Sequence, residues 1–321
     1  MVFHHVWIFP VLSAVFAVVA FVAGYAIAVA NNDEYALLSY ISDGGAIPPE
    51  SCVFGQLLNI SAMFMAITVY LRHRQFVEFY VHRNHMQSTF WRRYDFAFMI
   101  LGYVISFGIS MVANFQEGAV GIAHMIGALT AFIGAIVYCW AQIVMAYSLT
   151  PRMTPLWMNH FRVIIHLVAT TALVLHIVCE FVAPFVENSN GVSPTKPPSN
   201  RGIIKYKHSS PFYVNHIVTT SAEWAMALLL EVFVLSFAWE LRQFYMQVPK
   251  VYVKERYRRN VVHFDTTPIS CLTAFEDFDC RPQIPRVRLN EDCDSERRES
   301  TRPMTTRQSS PVGTLRAEYL Y

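Results

Sequence analysis

Six long stretches of this chain contain no lysine or arginine, and that absence decides its class. All 25 Lys and Arg residues fall in four segments: 72–94, 148–162, 187–213 and the chain from Leu241 onwards. Between and before these segments run Val6–Ala30, Val53–Leu71, Phe96–Asn114, Ala119–Tyr147, Val163–Phe185 and Val214–Trp239. An uncompensated cation at mid-bilayer costs about 2.5–3.5 kcal/mol on insertion scales, so cation-free apolar runs are what lipid tolerates. Crossing ~30 Å of hydrocarbon takes ~20 helical residues at ~1.5 Å each, and each run meets that need. The hydrophobic fraction of 54% and charged fraction of 15% point the same way. The sequence predicts an all-α, six-transmembrane helix bundle.

Other absences narrow the function. No C-x-x-C spacing occurs among the six cysteines. Cys52 lies at an outer helix mouth, Cys139 and Cys179 within spans, and Cys271, Cys280 and Cys293 in the tail. A Cys52–Cys179 bridge is geometrically conceivable; unpaired thiols are the favoured reading. There is no nucleophile elbow, P-loop, HExxH or dinucleotide fingerprint, so no enzyme, no cofactor and no metal is expected. The basic residues border the membrane instead of forming a stripe that would suit nucleic acid. The one sequon, Asn59-Ile60-Ser61, falls inside the second run and is inaccessible to glycosylation.

Charge then sets the orientation. An even number of spans puts both ends on one side, together with segments 72–94 and 148–162. That side carries 21 of the 25 basic residues and the opposite side 4. The positive-inside rule makes both termini cytosolic. The first outer loop, Asn31–Cys52, agrees, with Asp33, Glu34, Asp43 and Glu50 and no cation. Residues 26–30 read A-I-A-V-A, like a signal-peptidase site, but the preceding run is about twice a typical h-region and no cation precedes it. A retained first span is the expectation.

The organisation is therefore a membrane domain over 1–247 and a cytosolic tail over 248–321, basic at first and then disordered. Span four carries Ala123, Gly127, Ala131 and Ala135, and span one Ala20, Gly24 and Ala28; four-residue spacing of small residues lets backbones approach closely. The loop Glu187–Tyr213, rich in Pro, Ser and Asn, has no apolar periodicity and is expected to be mobile. Past about Val261 the composition cannot offset the entropy of ordering. Lys250, Lys254, Arg256, Arg258 and Arg259 lie where they would meet anionic cytosolic lipids, phosphoinositides included, at about 1 kcal/mol each. An ordinary stop-transfer flank explains them equally well. Tyr245-Met-Gln-Val248 fits a Y-x-x-Φ sorting pattern, and the tail offers a surface for protein partners.

Ionisable groups inside the runs are costly and draw attention first. His166, His176 and Glu180 lie on span five, His124 on span four, and Glu223 and Glu231 on span six. His124 and His176 lie at similar depth, as axial haem ligands would, but His166 has no opposing histidine for a second pair. Glu223, Glu231, Asn59 and His124 would line a transport pathway, yet no span shows the Gly/Pro interruptions of broken transport helices. Buried polar groups that fix helix register are the favoured account of these residues.

Loop one closes with YISDGGAIPPESCVFG, Tyr40 to Gly55. Asp43-Gly44-Gly45 is a turn signal, Pro48-Pro49 stiffens the approach to span two, and Glu50 and Ser51 stand where a helix N-terminus favours an anion and a cap. This segment resembles the damage-regulated autophagy modulators and their six-span relatives. So do Leu58–Ala62, Tyr70-Leu71-Arg72, Val112–Glu117, His124–Ala128 and Ala222-Glu223-Trp224, in order and suitably spaced. The tail is longer than that family's usual one, and Ala222 stands where Cys is common. The resemblance implies a non-enzymatic, multi-pass protein that regulates autophagy at lysosomal or endosomal membranes. More distant relatives imply a plasma-membrane organiser acting with phosphoinositide kinases; a transporter or ion pathway is the alternative from another class. By position it marks Asp43, Pro48, Pro49, Glu50, Asn59, Asn114, Gln116, Glu117, His124, Glu223 and Trp224. Asn114, Gln116 and Glu117 are expected to cap the turn between spans three and four and to meet loop one and span six.

Overall fold

In hydrocarbon every backbone N–H and C=O must find a partner within the protein, so an apolar run without cations becomes a helix. A computed structural model shows six, and it describes residues 2–37, 39–186, 194–198 and 203–247. They are α1 (Ile8–Ala30), α2 (Glu50–Phe76), α3 (Thr89–Asn114), α4 (Glu117–Ser148), α5 (Leu156–Phe181) and α6 (Tyr213–Leu241). All six are long and apolar enough to cross a membrane. The chain divides into two units, Met1–Val251 and Tyr252–Tyr321, and the described residues belong to the first. The tail 248–321, with Val248 of the sorting pattern and Lys250, Lys254, Arg256, Arg258 and Arg259, lies outside them.

Successive helices pack as antiparallel neighbours, and α6 closes the bundle against α1 while also touching α2 and α4. Half of the apolar window of α6 is buried, against 22% for α3, α4 and α5, so α6 forms the interior and the others face lipid. The main core gathers Met226, Phe233 and Phe237 of α6 with Val69, Ile105, Tyr138 and Ala169. A second core at the other end joins Ala17, Ala20 and Phe21 to Ile41, Phe54 and Leu58. Close approaches fall where glycine permits them. A Cβ on Gly127 would stand 2.8 Å from the Met111 side chain and 3.0 Å from the Gly108 carbonyl oxygen, so the α4 stripe seats α3.

Two boundaries depart from the sequence reading, for one reason. Segment 72–94 is not a loop: α2 continues as a π-helical stretch through Val77–Arg83, and α3 begins at Thr89. Segment 148–162 likewise shrinks to the turn between Ser148 and Leu156. A run ends at its first cation, but a helix does not, because interfacial Arg side chains reach water or find partners. Span five is shifted accordingly, and its expected end, Val182–Phe185, is turn and coil that includes a left-handed Ala183 (φ 49°).

The described termini meet. Strand β1 (Val2–Phe3) pairs antiparallel with β2 (Met246–Gln247), which follows α6 directly. Both ends thus lie on one face, the one that carries the Arg-rich connections.

Candidate functional site

Polar side chains concentrate at the two ends of the bundle. At the outer end the feature that organises them is loop one. Helix α1 terminates in a Schellman motif: Asn32 takes φ 60°, its N–H donates to Val29 O (3.1 Å), and Asp33 N–H donates to Ala28 O (2.9 Å). The chain then folds back over the bundle. Gly44, in a 3₁₀ turn of residues Asp43–Gly45, lies so close to α1 that a Cβ on Gly24 would meet its carbonyl oxygen at 2.5 Å. The small-residue stripe of span one therefore accommodates this loop as well as a helix.

Three consecutive loop residues each donate a hydrogen bond to a carboxylate on a different helix. Tyr40 Oη–H donates to Glu180 Oε2 of α5 (2.8 Å), Ile41 N–H to Glu223 Oε2 of α6 (3.4 Å) and Ser42 Oγ–H to Glu117 Oε2 of α4 (2.8 Å). Trp224 Nε1–H returns a bond to Ser39 O at 3.0 Å. Asp43 accepts from Tyr40 N–H at 3.1 Å and is buried. Burial pushes its carboxyl well above the usual range, helped by the nearby Glu34, Glu117 and Glu223 charges. Burial likewise raises Glu34 to about 6, despite the Tyr35 N–H it accepts from and the Lys205 ammonium nearby. Tyr40 is raised too, by burial and by the Glu180 charge. The result is a lid fastened to three carboxylates and carrying two more, Glu34 and Asp43, that favour the neutral form.

The other motif residues support this lid. Pro48 and Pro49 are exposed at the loop's return, and Pro49 stands immediately before α2. Glu50 is fully buried in the first turn of α2 and accepts from Asn31 Nδ2 at 3.3 Å, so its partner is the end of α1. The expected Ser51 cap is absent, since Pro49 holds the capping position and the Ser51 hydroxyl makes no bond. Asn59 and Asn114 exchange amide hydrogen bonds at 3.1 Å, and Ser110 Oγ–H donates to Asn59 Oδ1 at 2.7 Å, joining α2 to α3. Gln116 precedes α4 without a side-chain capping bond. The turn is secured instead by buried His124, whose Nδ1 bonds Phe115 O at 2.7 Å. His166 and His176 similarly spend a ring nitrogen on Ile136 O (3.0 Å) and Thr219 O (3.2 Å). The described part of loop 187–213 also docks: Ile203 is buried on Ala46 and Ile47, and Lys205 donates to Asn32 O.

The inner end holds residues that composition did not single out. Glu240, buried at the end of α6, accepts from Arg72 of α2, from Arg162 of α5 (2.6 Å) and from Thr154 Oγ (2.6 Å). Arg72 also donates to Gln75 (2.6 Å) and to Gln142 of α4 (3.1 Å); Arg162 Nε–H donates to Ser236 Oγ (2.7 Å). Both guanidiniums lie over the Phe237 ring, at 4.5 and 5.2 Å. One carboxylate thus ties α2, α5 and α6 together with two arginines. The signal was present: Arg72 and Glu240 directly follow an apolar run and Arg162 directly precedes one, all at the same face, and interface charges of opposite sign at one depth can pair. Elsewhere on this face Tyr245 is exposed beside His4. The described cysteines, Cys52 at the outer end and Cys139 and Cys179 within the helices, are unpaired.

Fold and site together define a multi-pass membrane protein whose polar residues clamp its helices at both ends. The chain belongs to the Frag1/DRAM/Sfk1 family: the family model "Frag1/DRAM/Sfk1/Cwh43P N-terminal domain" matches residues 5–244, which span all six helices. Human DNA damage-regulated autophagy modulator protein 1 is 31% identical over 230 residues, covering 71% of this chain and 87% of that protein. DNA damage-regulated autophagy modulator protein 2 of Rattus norvegicus is 27% identical over 262 residues, covering 81% and 90%. The Danio rerio protein named modulator of macroautophagy TMEM150B is 33% identical over 184 residues, covering 57% and 72%. No solved structure gives a significant match.

Proposed function

We propose that this chain is a non-enzymatic regulator of autophagy that works in lysosomal or endosomal membranes. The observation that carries the reading is its likeness, over most of both chains, to relatives named as autophagy modulators. The outer lid supports the compartment. With both termini cytosolic, the lid faces the lumen, and the buried Asp43 and Glu34 carboxyls take up protons as a lumen acidifies. The cytosolic cluster Lys250, Lys254, Arg256, Arg258 and Arg259 would engage anionic lipids, phosphoinositides among them, and the tail would recruit protein partners.

Two measurements on cells lacking the protein test this. Re-expression of the full chain should restore autophagic flux, read as turnover of a lipidated autophagosome marker with and without a lysosomal inhibitor. Tagged protein should colocalise with a lysosomal membrane marker, and Tyr245→Ala should shift it toward the cell surface. Unchanged flux on loss and re-expression would reject the regulatory role. Plasma-membrane residence of the wild type would reject the compartment and favour an organiser of phosphoinositide kinases.

A further inference from the structure

On the inner half of the bundle α1 and α5 both lean on α6 without closing over it, leaving a groove of about 540 Å³ open to the side. Val11 of α1, Phe161 of α5 and Leu235 of α6 form its walls and floor. Its hydroxyl, from Ser236, is already committed: it accepts from Arg162 Nε–H and donates to Phe233 O at 2.5 Å. Away from its mouth the groove therefore offers hydrocarbon surface and no free polar group, which suits an alkyl chain and not a water-soluble ligand.

The mouth is built differently. Trp7 and Trp239 flank it, with Trp157 edge-on to Trp239 at 5.4 Å, and such rings mark the level of the lipid headgroups. Arg242, at the end of α6, holds its guanidinium 4.3 Å above the Trp239 ring, is exposed, and has no ion-pair partner among the described residues. Behind it, the buried cluster sets two arginines against one glutamate, so the field at the mouth is positive. We propose that this groove is a binding site for an anionic glycerophospholipid of the cytosolic leaflet, with one acyl chain between α1 and α5 and the phosphate on Arg242. Apolar depth, aromatic rim and uncompensated cation occur in the order in which a lipid presents tail, glycerol and headgroup.

Intact-protein mass spectrometry of the full chain in detergent micelles tests the site, with dioleoyl phosphatidylserine or dioleoyl phosphatidylcholine as the titrant. Phosphatidylserine should be retained at one per chain and about fivefold more strongly than phosphatidylcholine, the factor one interfacial cation supplies. Arg242→Ala should erase that preference. Leu235→Trp, at a half-exposed position, should fill the groove and abolish retention of both lipids; Val11→Phe from the opposite wall should repeat the effect. The basic residues beyond 250 would hold phosphatidylserine without a groove, so retention that survives both groove-filling variants overturns the proposal. So does wild-type retention without headgroup preference, which marks annular lipid only, and so does equal binding of soluble glycerophosphoserine.

Discussion

Replacing Glu240 by alanine leaves the guanidiniums of Arg72 and Arg162 in the bundle without the carboxylate that both address. Their remaining acceptors are neutral: Gln75, Gln142 and Ser236. Removing one member of a buried ion cluster strands the others, and typical costs are about 3–5 kcal/mol. The Thr154 hydroxyl also loses its acceptor, at about 1 kcal/mol more. For a domain of this size that corresponds to a fall in melting temperature on the order of 10 °C. The assay is thermal denaturation of purified protein in detergent, with the folded fraction read by size-exclusion chromatography. Glu240→Gln, which keeps an acceptor and loses the charge, should fall between wild type and Glu240→Ala. The informative partner is the triple substitution Arg72→Met, Arg162→Met, Glu240→Leu. Because desolvating three charges offsets most of their mutual attraction, it should recover most of the lost stability. A Glu240→Ala protein that melts with the wild type, or a triple variant less stable than the single, refutes the argument.

The lid should respond to pH. Glu34 holds a proton to about pH 6 in the folded protein against its ordinary 4.5, so the folded lid binds more protons than the open one. Its stability is then highest in acid and falls as pH rises from about 4.5 to 6, by about 1–2 kcal/mol after allowance for partial solvent screening. Asp43 adds to this in the same direction. Amide hydrogen exchange in residues 39–47, corrected for intrinsic rate, should be slower at pH 5 than at pH 7; the reverse order would exclude the linkage. Ser42→Ala and Glu117→Ala should be non-additive by about 0.5–1 kcal/mol in a double-mutant cycle, since they share one bond; a strictly additive cycle would show that bond to be absent. Glu231 Oε2 is enclosed without a hydrogen-bond partner, so Glu231→Leu should be neutral or stabilising by about 1–2 kcal/mol in the same melting assay. A clear loss of stability there would mean that the carboxyl makes a contact of its own.

Much of the fold was legible because lipid imposes a single rule on all six runs. A cation-free stretch of sufficient length has few alternatives to a helix, so α1, α4 and α6 fall within two residues of their expected ends. The rule fails at the water interface, where both charge and helix are allowed. That is why α2 and α5 extend through Arg72 and Arg162, and why Glu240, one residue beyond an apolar run, reads in the sequence as an ordinary flanking charge. At the outer end the turn at Asp43-Gly44-Gly45 could be read from local chemistry, as could the family motifs. What local chemistry could not supply was the partner of each group. Glu50 meets Asn31, and Asn114 meets Asn59 across 55 positions, because these pairings depend on helix rotation and on the path of the loop. Composition also hid the docking of Ile203, one of two adjacent isoleucines in a largely polar segment, which meets its neighbours only once loop one is in place.

The placement of Tyr40, Ile41 and Ser42 makes this segment intolerant of changes in length. A substitution at Tyr40 or Ser42 detaches one helix and leaves two attached. Deleting a residue within this segment would instead displace the remaining donors from their acceptors at once, so α4, α5 and α6 would lose their tethers together. Across related chains, variation here should accordingly take the form of exchanged side chains, with insertions and gaps confined to the stretch before Ser39.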